Sequence, residues 1–95
     1  MKRYFSSKIK WISYEEGGRK MIPPEGTRYC PLIRIKNQNS FQDWSIDFIC
    51  PNFAKKEIIK FCFLAENAPV EIIKLGNTYS IYEGSKRVAI LEILS

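Results

Sequence analysis

The sequence contains no histidine, and this absence removes the residue that most often serves as a general base or a zinc ligand. No serine lies in a Gly-x-Ser-x-Gly setting, and the carboxylates form no recognisable local pair. The three cysteines are too far apart in the chain to form a Cys-x-x-Cys pair for a structural zinc site. We therefore expect a protein that is not an enzyme and that carries no metal and no cofactor.

Long apolar runs are also missing. A membrane-spanning helix needs about 18 or more consecutive apolar residues, and every apolar run here is interrupted after a few residues. Residues 1–8 lack an apolar stretch of signal-peptide length. These absences favour a cytoplasmic protein without a membrane segment.

The chain has enough apolar residues to form one hydrophobic core. It has 95 residues, of which 45% are hydrophobic, so residues 1–95 are expected to form a single domain. Cys30, Cys50 and Cys62 lie among apolar or aromatic neighbours, where a thiol behaves as a small buried hydrophobe. A cysteine nucleophile would need a pKa lowered by nearby Lys or Arg, so a cysteine-dependent enzyme is only the outlying hypothesis.

Alternation of apolar and polar residues recurs along the chain, which is typical of half-buried strands. The clearest case is residues 44–50, where Trp44, Ile46, Phe48 and Cys50 share one parity. The other predicted strands are residues 8–14, 29–35, 59–65, 78–83 and 88–94, with turns at residues 17–18 and 84–85. We predict an all-β domain, a six-stranded antiparallel closed β-barrel, because closure hides sheet edges that a short chain would otherwise expose.

Aromatic and basic residues interleave in residues 4–14. The aromatic residues there are Tyr4, Phe5, Trp11 and Tyr14, which would suit a stacking platform for nucleic acid. Such residues more often form the interior and rim of a barrel, so both interpretations stay open.

Three motifs carry a family resemblance. Residues 15–19 read Glu-Glu-Gly-Gly-Arg, residues 29–31 read Tyr-Cys-Pro, and residues 82–88 read Tyr-Glu-Gly-Ser-Lys-Arg-Val. In this order they resemble the first turn, the second strand and the last hairpin of the C-terminal β-barrel domain, domain 3, of elongation factor Tu. The resemblance implies a barrel that supports binding and performs no chemistry. Residues 17–20 lack the spacing and the Ser or Thr of a phosphate-binding loop, so no nucleotide is expected.

The resemblance also implies a candidate site. The family domain contacts the T stem of aminoacyl-tRNA partly through its first loop and last hairpin, and by position Arg19, Lys20, Lys86 and Arg87 stand there. Fifteen Lys and Arg against ten Asp and Glu give a net charge of +5, which is compatible with phosphate contact. The basic residues are nevertheless spread along the chain, as in an ordinary solvated surface or a lysine-rich bacterial composition.

Two binding hypotheses follow. The first is an adaptor or immunity-type protein that binds a protein partner of unknown identity through barrel edge and loops. The second is a module that docks on structured RNA through the four basic residues.

Overall fold

Seven strands form the framework of the computed structural model, which describes residues 2–95. They are β1 (Phe5–Trp11), β2 (Arg28–Tyr29), β3 (Leu32–Asn37), β4 (Ser40–Ile49), β5 (Ile58–Phe63), β6 (Thr78–Glu83) and β7 (Lys86–Ile93). Short 3-10 turns at Tyr14–Glu16 and Val70–Ile72 lie in the connections. The all-β prediction is confirmed, and no helix in residues 2–95 has the length and apolarity needed to cross a membrane.

The sheet closes on itself. Neighbouring strands follow the order β4-β3-β6-β7-β1-β5, and β5 pairs again with β4. The closing pairs are Ile46 with Phe63 and Asp47 with Cys62, and just beyond them the Leu64 N–H donates to the Ser45 carbonyl at 3.0 Å. All of these pairings are antiparallel. The six-stranded antiparallel closed barrel expected from the sequence is therefore confirmed.

The short strand β2 is an addition to that barrel. It lies along the same edge of β4 as β3 and continues the same register. Pro31 separates the two strands because it has no N–H to donate to the ladder, although its carbonyl accepts from the Ile46 N–H at 3.0 Å. β2 is thus the beginning of β3, interrupted by a proline.

The core fills the barrel interior with side chains from all six barrel strands. Those that are almost fully buried include Phe5, Ile33, Ile35, Ile46, Phe61, Ile81, Val88, Leu91 and Ile93. The inward parity predicted for residues 44–50 is confirmed, since Phe48 and Cys50 are also buried and Trp44 is half-buried against the core. The alternation therefore located the buried faces of β3 and β4.

A β-bulge near the beginning of β7 changes which residues face outward. Ile81 pairs with Ala89, but Tyr82 pairs with Arg87, so Val88 is an extra residue in β7. Val88 and Ala89 are both fully buried as a result. The bulge puts Arg87 on the outer face of the sheet, beside Tyr82.

The first strand differs from its predicted bounds. β1 runs Phe5–Trp11 instead of residues 8–14, because Phe5 is buried and stacks on Phe61 with ring centroids 5.3 Å apart. Trp11 also packs against the core, which confirms the barrel-interior interpretation for these two aromatic residues. Tyr14 belongs to a 3-10 turn and is exposed.

The two glycines after this turn have different roles. Gly17 ends the 3-10 turn with a φ of 96°, so the turn predicted at residues 17–18 is present and follows a 3-10 turn instead of a strand. Gly18 is buried, and its N–H donates to the Ser13 carbonyl at 2.9 Å. The chain after β1 therefore folds back on residues 12–13.

Replacement of Gly18 should be the more damaging change. A Cβ on Gly18 would lie 1.9 Å from the Ile12 carbonyl oxygen, whereas a Cβ on Gly17 would meet no atom within 4 Å. We expect Gly18→Ala to lower the free energy of unfolding in urea by about 3 kcal/mol, and Gly17→Ala by about 1–2 kcal/mol from its positive φ alone. Gly84 has a φ of 60°, and a Cβ added there would lie in open space, so Gly84→Ala is the matched control for the free-energy cost of a positive φ alone. Equal losses at all three positions would contradict the close packing of Gly18.

Candidate nucleic-acid interface

The first loop and the last hairpin, which carry the four predicted site residues, lie side by side. Lys86 and Arg87 line a small cleft together with Glu16 and Gly17. Lys20 is exposed in the loop that follows. The structure thus brings the two predicted segments to one region of the surface.

Arg19 is occupied by contacts within the protein. Its guanidinium forms an ion pair with Glu83 at the end of β6, and its Nε donates to the Met21 carbonyl at 2.8 Å. The guanidinium also lies over the Tyr29 ring, 5.4 Å from the centroid, while the Tyr29 hydroxyl donates to the same carboxylate. Arg19 therefore ties the first loop to the barrel.

The negative charge of Glu83 offsets part of the positive charge of this region. Partial burial acts to raise the pKa of Glu83, but hydrogen bonds from Tyr29 and Arg19 and the positive charge of Arg19 outweigh it, so the pKa is lowered. Burial and the bond to Glu83 raise the pKa of Tyr29, which stays a neutral donor. With Glu16 also in the neighbouring cleft, the cations here are interspersed with carboxylates.

A second region has cations without carboxylates in its lining. It is a groove of about 730 Å³ that extends over the outer face of β3 and β6 and reaches Arg87 of β7. We call it the basic groove and define it by its basic residues Arg34, Lys36, Lys74 and Arg87 and its aromatic residues Phe41, Tyr79 and Tyr82. Arg87 is the member that belongs also to the predicted site.

Strand pairing assembles this groove from distant parts of the chain. Ile33 and Ile35 point into the barrel, so Arg34 and Lys36 point outward from β3. β6 pairs with β3 on one side and β7 on the other, which puts Tyr82 between β3 and Arg87. The groove therefore exists only once β3 and β6 are neighbours.

The loop before β6 forms one wall. The Tyr79 hydroxyl accepts from the Lys74 N–H at 3.2 Å and donates to the Ile72 carbonyl at 3.3 Å. This contact holds residues 72–74 against the sheet, with Lys74 exposed at the groove.

The positive charges in the groove differ in their availability. Arg34 donates two hydrogen bonds to Asp43, at 2.8 and 3.0 Å, which raises the pKa of Arg34 and lowers that of Asp43. Within residues 2–95, Lys36, Lys74 and Arg87 form no ion pair. Arg34 is thus fixed by a carboxylate, whereas the other three charges face solvent.

Metal and thiol chemistry find little support in the geometry. No group of three or more Cys, Asp and Glu side chains within the described residues is arranged to hold a metal ion. Cys50 and Cys62 are buried as expected, but Cys30 is exposed, because it lies on the outer face beside Asp47 with its Sγ 3.6 Å from that carboxylate. Burial and Asp47 raise the pKa of Cys30, and burial raises that of Cys50, the opposite of what a nucleophile requires.

An apolar cleft lies elsewhere on the surface. Its apolar lining includes Trp11, Ile22, Phe53 and Ile90, and its volume is about 650 Å³. Trp11 meets Phe53 edge to face at 5.4 Å, and its Nε1 has no hydrogen-bond partner among the described residues. Ile22 is 48% exposed.

Most of the basic groove was not singled out from the sequence. The outward parity of Arg34 and Lys36 was visible as the polar side of a predicted strand. Nothing local links this side to Lys74 or Tyr82, which are far along the chain. These residues become neighbours through the order of the strands in the sheet, which the sequence alone did not reveal.

Comparison of the chain with models of protein families, with curated proteins and with solved structures finds no match. The resemblance to domain 3 of elongation factor Tu therefore stays a prediction.

The lowered pKa of Glu83 has a consequence for acid stability. A carboxylate of this kind stabilises the fold above its unfolded pKa of about 4.3, and this contribution is lost as the pH falls through the lower folded value. We expect Glu83→Gln to be less stable than wild type at pH 7 and to lose less stability as the pH falls from about 5 to 3. Urea unfolding at a series of pH values measures both effects.

Glu92→Gln is the matched control, because Glu92 is an exposed residue of β7 outside this cluster. It should keep the acid dependence of wild type. An unchanged acid dependence in Glu83→Gln would contradict the role assigned to the Arg19–Glu83–Tyr29 cluster.

Proposed function

We propose that this protein is a non-enzymatic binding module that binds nucleic acid through the basic groove. The observation that carries the proposal is that Lys36, Lys74 and Arg87, all without an ion pair within residues 2–95, line one groove. Among the described residues its lining includes no carboxylate, and the nearby carboxylate of Asp43 is taken up by Arg34. Phosphates attract such groups and supply most of the affinity in nucleic-acid binding. The net charge of +5 acts in the same direction.

The resemblance to elongation factor Tu domain 3 enters the same proposal. It implies RNA contact through the first loop and the last hairpin, and Arg87 belongs both to that hairpin and to the basic groove. Lys86 and Lys20 are exposed near this end and extend the positive surface. Structured RNA is therefore one nucleic acid to test, and Arg19 acts mainly as the support of the first loop.

Salt dependence is the decisive measurement. We expect nucleic-acid affinity to fall as salt rises, and we expect Lys36→Ala combined with Lys74→Ala to reduce the slope of log K against log salt by about 1.4 on a single strand or about 1.8 on a duplex. The physical reason is that each lysine neutralises one phosphate and releases its counterions. Fluorescence anisotropy with a labelled RNA across a salt series gives these slopes.

A charge-matched control separates the groove from the overall charge. Lys56→Ala combined with Lys60→Ala removes the same charge from exposed residues at and beside β5, across the barrel from β6. This variant should keep nearly the wild-type slope. Equal effects of the two double variants, or no binding at about 50 mM salt, would sink the proposed site.

Binding of another protein is the second candidate function. It is supported by the apolar cleft, where Trp11 and Phe53 form the wall and the partly exposed Ile22 forms the rim. Aromatic residues such as Trp11 and Phe53 are enriched at protein interfaces.

Affinity purification from the native cell, with and without nuclease, distinguishes the two candidates. A protein partner bound at the cleft should survive nuclease and be lost with Ile22→Glu. Ile49→Glu is the matched control, because Ile49 is a 59% exposed isoleucine on β4 outside the cleft. Partners that disappear with nuclease, or that ignore both substitutions, would remove the support for this candidate.

A further inference from the structure

We propose that the basic groove selects single-stranded nucleic acid, whose bases stack on Phe41 and on the guanidinium of Arg34. The inference rests on the proposed function and specifies the ligand of that same site.

Phe41 is the first stacking surface. It lies one residue into β4, faces outward, and is 65% exposed. Its cross-strand partner is Lys36, so a large apolar ring stands next to an unpaired positive charge. Proteins commonly bind single strands with aromatic rings beside cations, because each base can stack on a ring while the adjacent phosphate contacts a cation.

Arg34 is the second stacking surface. One face of its guanidinium lies on the Tyr82 ring, 4.0 Å from the centroid. Its edge donates two hydrogen bonds to Asp43, so these N–H groups are not available to grip a phosphate. What remains is a fixed, planar cation that is half-exposed, and a planar guanidinium stacks well on an aromatic base.

The two surfaces are too far apart for consecutive bases that remain stacked on each other. Phe41 pairs with Lys36 and Asp43 pairs with Arg34, so Phe41 and Arg34 are diagonal neighbours on the outer face of β4 and β3. Diagonal neighbours of this kind are about 7–8 Å apart, roughly twice the ~3.4 Å between consecutive stacked bases. Consecutive bases that stack on Phe41 and on Arg34 must therefore separate from each other, which a single strand allows, whereas the bases of a duplex already have both faces covered.

The remaining cations suit a phosphate backbone. Lys36 stands beside the first stacking surface, and Lys74 and Arg87 line the same groove. Arg87 is oriented by a hydrogen bond from its Nε to the Ser80 hydroxyl at 3.0 Å. A strand that tracks these charges has its bases next to Phe41 and Arg34, with little selection of base identity.

The test uses three DNA probes of equal length, about 12 nucleotides: oligothymidylate, an abasic strand with the same phosphates, and a duplex. We expect the wild-type protein to bind oligothymidylate about tenfold or more tightly than the abasic strand. Phe41→Ala should lose about tenfold in affinity for oligothymidylate and should bind the abasic strand and the duplex as wild type does. An RNA strand of the same length reports whether the 2′-hydroxyl contributes.

Three further variants separate stacking from simple apolar contact and from charge. Phe41→Trp should retain the preference for bases, whereas Phe41→Leu should behave as Phe41→Ala does. Arg34→Lys keeps the charge and removes the plane, so it should weaken oligothymidylate binding more than abasic binding. Circular dichroism on each variant checks that the barrel is intact.

The outcomes distinguish this inference from the proposed function. Equal affinity for the abasic and thymidylate strands, or tighter binding of the duplex, overturns base stacking and leaves phosphate binding by the groove in place. Absence of binding to every probe overturns both. A polyglutamate peptide that competes as well as oligothymidylate, with no effect of Phe41→Ala, assigns the groove to acidic protein segments and overturns the inference.

Discussion

The structure depends on the closing of the sheet between β4 and β5. Ile46 and Phe63 meet at this seam, and both side chains are buried in the common core. Opening the seam would expose two strand edges and would uncover the aromatic group of Phe5, Phe61 and Phe63, whose rings pack on one another in the interior. Closure thus connects β1, through β5, to β4 and encloses one apolar interior.

Closure also divides each strand into a structural and a solvent face. Inward positions are mostly apolar because they fill the barrel, with Ser7 of β1 as a buried polar residue, and outward positions are free to carry charge. Since β3 has β4 on one edge and β6 on the other, residues far apart in the chain become neighbours on the outside. The basic groove is one product of this arrangement, and the bulge at Val88 completes it by turning Arg87 outward.

Arginine and lysine have different roles on this surface. Arg19, Arg28 and Arg34 each form an ion pair with a carboxylate, on Glu83, Asp47 and Asp43 respectively. Exposed pairs of this kind contribute little stability, but the planar guanidinium fixes the position of the neighbouring segment. Lys36 and Lys74, in contrast, form no ion pair within residues 2–95, so their charge is available to a partner.

The sequence by itself determined the fold class, the inward faces of β3 and β4, and the hairpin at Gly84, because alternation and turn chemistry are local properties. It did not determine the start of β1, since Phe5 is held by Phe61 on a strand more than fifty residues away. The exposure of Cys30 likewise follows from pairing with β4, which puts Cys30 on the outer face beside Asp47.

The candidate site divides in the same way. Sequence reasoning selected Arg87 and the hairpin that carries it, and it expected Arg19 to face a ligand, whereas the structure occupies Arg19 with Glu83. Lys74, Phe41 and Tyr82 meet only through the order of the strands, and that order is set by which apolar faces close the barrel together. Local pattern therefore decides what each strand buries, while tertiary pairing decides which outward residues stand side by side.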